Sequence, residues 1–293
     1  MPKSEMTRRA ALASLAGAAA GAVLVQGSPA GAQDKPKLKG RIKQSVSRWC
    51  YDSVLDWEPF AKACAEMGLV GIDLVDPKFW PIVKDHGLVA TMVPGAGSIG
   101  DGLNDKRFHA KAMEDFKKNI KAAADFGWPN VITFSGNRRG TSDYQAWDNC
   151  CEILKEAVKI AEDHNVTINM ELLNSKVDHR DYQCDHTLWG VELCQRVGSP
   201  HFKLLYDIYH MQIMEGDLIR TIRENIDYIG HFHTGGNPGR LDLDETQEIN
   251  YAAVMNAIAE LQDQGKYKGY VAHEFIPKKG MESLRHAVML CDV

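Results

Sequence analysis

The chain contains the stretch TINMEL at residues 167–172, an apolar β-strand pattern that reaches a carboxylate at Glu171. Three later stretches have a similar pattern: LLYD at residues 204–207, GHFH at residues 230–233 and VAHE at residues 271–274. Each is short, rich in branched or aromatic residues, and ends on an acid or a histidine. Helical patterns separate these stretches, so the second half of the chain alternates strand and helix.

The same alternation extends back towards residue 42. Helical periodicity is clearest over residues 108–126 and 144–164. Eight strand patterns are predicted, at residues 42–47, 70–75, 88–93, 130–135, 167–172, 203–207, 228–233 and 269–275. Eight strands, each followed by a helix, over about 250 residues are typical of a (β/α)8 TIM barrel. We therefore predict a single α/β barrel domain over residues 42–293.

A doubly wound open sheet is the main alternative to the barrel. That fold normally has fewer strands and a glycine-rich turn after the first one. The first predicted strand instead runs into Ser47, Arg48 and Trp49, and the glycine-containing stretch at residues 95–100 lacks the G-x-G-x-x-G spacing. These features favour the barrel.

Residues 1–32 have the composition of an export signal. Arg8 and Arg9 begin a basic region, an Ala/Gly/Leu/Val stretch follows at residues 10–25, and small residues at 30–32 resemble a cleavage site. Paired arginines before a mild apolar segment are typical of twin-arginine signals, which export folded proteins. The apolar run is too short for a good transmembrane helix. We predict a cleaved signal, a linker at residues 33–41, and a periplasmic protein without stable membrane insertion.

Composition excludes several classes of partner. The chain has 293 residues, of which 44% are hydrophobic and 25% charged, with a formal net charge of -5. A net negative charge argues against nucleic acid or an anionic membrane as the main partner. Seven cysteines without a CxxC pattern indicate neither a disulfide framework nor a zinc finger, and folding in the reducing cytoplasm predicts free thiols.

The four late strand ends predict a metal site. In a barrel of this type the C-terminal strand ends form the active face. A group of three carboxylates and one imidazole there requires a cation, because burying unpaired charge is costly. The predicted ligands are Glu171, Asp207, His233 and Glu274. Oxygen-rich ligation favours Mg²⁺ or Mn²⁺, while Co²⁺ and Zn²⁺ are compatible. Neutralisation by a buried Arg or Lys is the alternative, disfavoured because no basic residue occurs at these strand ends.

Around these residues the chain resembles the hydroxypyruvate isomerase family. That family belongs to the xylose-isomerase-like barrels, together with ketose 3-epimerases and inosose dehydratases. The resemblance runs from about Gln44 to Pro277 and is most specific in MELLNS at residues 170–175, LYDIYHMQ at residues 205–212 and HEFIP at residues 273–277.

The resemblance implies roles for individual residues. The four strand-end residues would bind the metal, and Glu171 and Glu274 would also be the acid/base pair. Two carboxylates can remove and return a proton while a metal stabilises the negative charge of an enediolate. His210 and Arg240 would face the substrate, and Trp49 is expected to form an aromatic wall of the pocket.

The predicted function is therefore a metal-dependent isomerase or epimerase of a small carbohydrate or hydroxy-keto acid. Hydroxypyruvate isomerases carry Gln at the position of His233, whereas ketose 3-epimerases carry His, so the substrate stays open. The alternatives are a polyol dehydratase of the inosose type, a ketose 3-epimerase on the same site, or a non-catalytic exported sugar-binding barrel. Association into a homo-oligomer also stays open. We expect Asp73 and Asp76 to be capping residues and His231 to be a core histidine.

Overall fold

The computed structural model describes residues 38–293, so the predicted signal and most of the predicted linker lie outside the described residues. The strands are β1 Gln44–Ser47, β2 Gly71–Asp73, β3 Val89–Ala90, β4 Val93–Ala96, β5 Asn130–Thr133, β6 Thr167–Glu171, β7 Phe202–Asp207, β8 Ile229–Thr234 and β9 Val271–His273. The α-helices are α1 Trp57–Met67, α2 Trp80–Asp85, α3 His109–Phe126, α4 Asp143–Asp163, α5 Thr187–Val197, α6 Ile208–Met214, α7 Leu218–Asn225, α8 Tyr251–Asp263 and α9 Met281–Leu290.

The strands form one parallel sheet with the order β3-β2-β1-β9-β8-β7-β6-β5-β4. The first and last strands, β1 and β9, pair with each other in the middle of this order. The two outer strands, β3 and β4, are consecutive in the chain and only Thr91 and Met92 separate them. The sheet is therefore a nearly closed barrel, and the predicted α/β barrel is confirmed.

The prediction of eight strands is corrected to nine, because the third strand is broken in two. Its first part, β3, pairs with β2, and its second part, β4, pairs with β5. Pro94 has no backbone N–H to donate, and the register of β4 against β5 shifts between Pro94 and Ala96. Both parts still occupy one position in the barrel wall.

The helices cover the outside of the barrel with their apolar faces. On α3, Phe116, Ile120 and Ala123 are buried at helical spacing, as predicted. Helices α1 and α3 end at Gly68 and Gly127, which have φ values of 89° and 83° that glycine adopts without strain. The two long helices that the sequence predicts are confirmed to within one residue.

All seven cysteines are free, as predicted, and six of them are buried. Between residues 38 and 293, no helix combines the length and apolar character needed to cross a membrane.

Candidate metal centre

Strand register places the predicted ligands at one end of the barrel. Asp207 on β7 is the direct register partner of His233 on β8. His233 pairs in turn with Ala272 on β9, and Glu274 follows two residues later on the same face of the sheet. Glu171 is the last residue of β6. The four residues each offer a ligand atom within 4.8 Å of the others, and all four are buried.

The distances within this group show a crowded cluster of donors. His233 Nδ1 lies 2.5 Å from Glu274 Oε2, 3.4 Å from Glu171 Oε1 and 3.9 Å from Asp207 Oδ2. Three carboxylates this close repel one another unless a cation lies among them.

The orientation of His233 fits a divalent metal. Its Nε2 lies 2.8 Å from Asp73 Oδ2, and the carboxylate accepts the ring proton there. Burial lowers the pKa of His233, but Glu274, Asp73 and Glu171 outweigh it and raise that pKa well above its usual value, so without a metal the ring also carries a proton on Nδ1. Nδ1 is fully buried and makes no hydrogen bond of acceptable geometry in the described part of the chain. A divalent cation in place of this proton would have one imidazole nitrogen and three carboxylates as a suitable donor set.

A basic residue does reach this cluster, contrary to the sequence-based expectation. Arg240 lies in the loop after β8, where its backbone has φ 55°. Its Nη2 lies 2.7 Å from Asp207 Oδ2 and also donates to Glu274 Oε2, and its Nε donates to the Glu274 carbonyl. The prediction considered only residues at strand ends. It therefore did not include Arg240, whose long side chain enters the cluster from a loop. The Arg240 guanidinium and the protonated His233 opposite three carboxylates still leave one negative charge in excess.

Burial and neighbouring charges shift the pKa values of Glu171 and Glu274 in opposite directions. Burial raises the pKa of Glu171 above its usual value, although His233 opposes the shift. Burial acts on Glu274 in the same direction, but Arg240 and His233 outweigh it and lower the pKa of Glu274 to about 2. Burial also raises the pKa of Asp207, to about 6. Two carboxyl groups whose pKa values move apart are suited to opposite roles in proton transfer.

Asp207 also begins the helix that carries His210. Its Oδ1 accepts a hydrogen bond from the His210 backbone N–H at 3.1 Å and so caps α6. The buried His210 ring lies between two other side chains. Its Nε2 is 2.9 Å from Arg240 Nη1, and its Nδ1 is 2.6 Å from Asn174 Nδ2. Burial and the charge of Arg240 hold the pKa of His210 well below its usual value, so the ring is neutral.

Trp49 lies at the edge of the cluster, and its place in the wall of the substrate pocket stays a prediction. Its side chain follows β1 in a short 3-10 turn, remains 42% exposed, and donates from Nε1 to Glu274 Oε1 at 2.5 Å. The Arg240 guanidinium lies 5.9 Å from the Trp49 ring centre and 5.4 Å from that of Tyr209. Arg240, Tyr209 and His179 line an adjacent cavity of about 370 Å³. Another cavity, of about 400 Å³, includes Lys203 and Gly269 and none of the predicted site residues.

Two residues next to the site were not predicted to support it. Asp76 is a capping residue as expected, but the same prediction is wrong for Asp73, which is buried at the end of β2 and contacts His233. Asp73 lies inside the strand predicted at residues 70–75, so the pattern did not mark it as a strand-end acid. Asn174 follows Glu171 by three residues and gave no comparable signal. His231 is buried beside Asp73, consistent with a core histidine.

The family model described as "Xylose isomerase-like TIM barrel" matches residues 61–288. The chain is 31% identical to the hydroxypyruvate isomerase of Escherichia coli K12, over 58% of this chain and 66% of that protein. It is 26% identical to the 2-oxo-tetronate isomerase of Pectobacterium atrosepticum, over 74% of this chain and 85% of that protein.

Among solved structures, a family 2 AP endonuclease from Brucella melitensis superposes with a TM-score of 0.73 and 22% identity, covering 83% of this chain and 96% of that one. At this identity the likeness concerns the fold. The chain belongs to the xylose isomerase-like TIM barrel family. The resemblance to hydroxypyruvate isomerases is thereby confirmed, and the chain is an enzyme of the isomerase class.

Proposed function

We propose that this protein is a divalent-metal-dependent isomerase or epimerase that moves a proton between adjacent carbons of a small hydroxy-carbonyl substrate. The observation that carries the proposal is the buried group of three carboxylates and one imidazole, in which the two glutamates have opposite pKa shifts. Glu171, Asp207, His233 and Glu274 would bind the metal. Mg²⁺ or Mn²⁺ suits this oxygen-rich set best.

The two glutamates supply the proton transfers. With its lowered pKa, Glu274 is ionised near neutrality and accepts the proton from the carbon next to the carbonyl. With its raised pKa, Glu171 is the better proton donor to the neighbouring position. A bound divalent cation would stabilise the negative charge that develops on the enediolate oxygens.

His210 and Arg240 suit a substrate rich in oxygen. The partly buried Arg240 donates to the carboxylates of Asp207 and Glu274, and the buried His210 ring lies 2.9 Å from Arg240 Nη1. A guanidinium binds a carboxylate or a pair of adjacent oxygens well. The relatives named above act on hydroxypyruvate and on 2-oxo-tetronate, and we propose a hydroxy-keto acid or a short ketose for this chain.

Hydrogen exchange tests the proposal directly. The metal-loaded protein is incubated in D₂O with hydroxypyruvate, 2-oxo-tetronate and three- to six-carbon ketoses, and the recovered compounds are analysed by mass spectrometry. We expect deuterium at the carbon next to the carbonyl of one substrate class, together with product. Turnover without deuterium would indicate a hydride shift. Binding without turnover or exchange would favour a sugar-binding barrel, and loss of water would favour a dehydratase.

We also propose that the protein is exported to the periplasm. The support is the sequence alone, namely Arg8 and Arg9 before an apolar stretch and the small residues at 30–32. Replacing both arginines by lysine should retain the protein in the cytoplasmic fraction. The same replacements at Arg138 and Arg139, in the barrel, are the control. A periplasmic Arg8→Lys/Arg9→Lys variant would contradict the twin-arginine route.

A further inference from the structure

The ring of His210 has an N–H donor at both of its nitrogens. Asn174 Nδ2 lies 2.6 Å from Nδ1, and Arg240 Nη1 lies 2.9 Å from Nε2. A neutral imidazole has one N–H and one lone pair, so it can accept from only one of these donors. A protonated ring could accept from neither. One of the two contacts must therefore give way, and the two neighbours differ in how firmly they are held.

Asn174 is fixed with its amide nitrogen towards the ring. Its Oδ1 accepts hydrogen bonds from the backbone N–H groups of Val177 and Asp178, at 3.0 and 2.9 Å. Its Nδ2 also donates to Asp178 Oδ2 at 2.7 Å. Rotating the amide by 180° would break these three hydrogen bonds, and Asn174 is fully buried. The atom facing His210 Nδ1 is therefore a donor.

Arg240 is held less rigidly at the contact with His210. Its guanidinium carries five N–H donors, and the groups that anchor it are the Asp207 and Glu274 oxygens. These anchoring hydrogen bonds come from Nε and Nη2, whereas Nη1 makes no other hydrogen bond in the described part of the chain. The contact that yields is therefore the one at Nε2.

We propose that Asn174 is a positioning residue that holds His210 as the Nε2–H tautomer, which makes His210 a hydrogen-bond donor to the substrate. This inference rests on the proposed function for its catalytic consequence. With Nδ1 accepting from Asn174, the ring proton lies on Nε2 and points towards Arg240. A substrate oxygen between Nε2–H and the guanidinium accepts from both, which favours an acceptor-only oxygen such as a carbonyl, a carboxylate or an enediolate.

The tautomer can be measured without substrate. Protein labelled with ¹⁵N-histidine and loaded with diamagnetic Mg²⁺ is examined by NMR, with the ring signals assigned through a His210→Gln variant. We expect a pyridine-type Nδ1 and a pyrrole-type Nε2 for His210. A pyrrole-type Nδ1 in the unsubstituted protein would overturn the proposal.

Two variants test whether Asn174 sets this tautomer. Asn174→Ala removes the donor, and the proton should move to Nδ1 because Arg240 remains a donor at Nε2. The double variant Asn174→Asp/Asp178→Asn exchanges acid and amide while keeping size and charge, and it should give the same reversal in a folded protein. An Nε2–H tautomer in both variants would overturn the proposal.

Kinetics provide the functional readout. Loss of the Nε2 donor should lower kcat by roughly 100-fold, at the lower end of the range measured for removal of an oxyanion donor. The metal affinity should not change, because His210 is not a ligand. Asn256→Ala is the matched control, since it truncates an exposed asparagine on α8 whose amide donates to the Ala252 carbonyl. It should keep both the tautomer and kcat.

Unchanged kcat in a variant with the reversed tautomer would contradict a donor role for His210. Absence of isomerase activity in the unsubstituted protein would instead contradict the proposed function. Because the tautomer is read without substrate, the two failures are distinguishable.

Discussion

Two buried clusters of polar and charged side chains lie inside the barrel, and His233 belongs to both. The upper cluster is Glu171, Asp207, Glu274, His233 and Arg240, at the C-terminal strand ends. The lower cluster is Asp73, Thr91, His231 and His233. In the lower cluster one carboxylate has three partners: Asp73 accepts from Thr91 at 2.6 Å and from His233 at 2.8 Å, and lies 3.1 Å from His231 Nε2.

The difference lies in the balance of charge. Burial alone would raise the pKa of Asp73, but His231 and His233 outweigh it and hold the pKa below its usual range. The upper cluster has three carboxylates against the Arg240 guanidinium and the His233 ring that it shares with Asp73, and burial raises the pKa of two of the carboxyl groups. A buried acid with enough partners is a structural element, whereas an excess of acids indicates a missing cation. The lower cluster therefore holds His233 in place, and the upper cluster contains the groups suited to bind a metal and transfer protons.

The largest effect is expected in the upper cluster. Glu171→Gln and Glu274→Gln should each lower kcat by about 1,000-fold, within the range for loss of a general acid or base. Steady-state turnover of the substrate found by deuterium exchange measures this. Glu282→Gln, an exposed glutamate on α9, should have no effect. Full turnover in either site variant would refute the proton-transfer mechanism.

The next effect tests how the lower cluster supports the upper one. Asp73→Asn should weaken metal binding by roughly 10- to 100-fold, as is typical when the carboxylate behind a metal-binding histidine is lost. Competition with a chromogenic chelator measures the affinity. Asp76→Asn, at an exposed capping acid of the following loop, is the control. Equal affinities would show that Asp73 does not orient His233.

Metal loading should stabilise the fold through the upper cluster. At a metal concentration of about 100 times Kd, binding adds about 2.7 kcal/mol, which raises the Tm of a domain of this size by roughly 5–10 °C. Differential scanning calorimetry with and without a chelator measures the shift. Asp207→Asn should reduce it. A Tm that is independent of metal would argue against a metal at this position.

The smallest effect concerns Trp49. Its indole N–H stabilises the Glu274 carboxylate, so Trp49→Phe should raise the pKa of Glu274. A base with a higher pKa loses its charge at higher pH, so the acid limb of the pH–rate profile should move up. The fall in kcat/KM should be about 3- to 10-fold, equivalent to one ordinary hydrogen bond. Trp57→Phe, whose ring stacks on Phe79, is the control. An acid limb at the same pH in the variant would show that Trp49 does not influence the pKa of Glu274.

The two clusters differ in how far their residues could be predicted from the sequence. Glu171, Asp207, His233 and Glu274 end successive strands, so a local pattern and the barrel geometry were enough to predict that they converge. The contact of Asp73 with His233 spans 160 residues and depends on the register across the closed barrel. The role of Asn174 depends on two backbone N–H groups that fix one amide. The break between β3 and β4 lies at Thr91 and Met92, where pairing passes from β2 to β5, and hydrophobic periodicity does not reveal it.

Asp207 has a consequence that goes beyond catalysis. One of its oxygens caps α6 through the His210 amide, while the other faces Arg240 and the candidate metal position. A metal or a side chain that binds the second oxygen therefore also affects the hydrogen bond that the first oxygen makes to the first turn of α6. The His210 backbone amide is thus a natural reporter, and its exchange rate with solvent should reveal the occupancy of the site in the unlabelled protein at equilibrium.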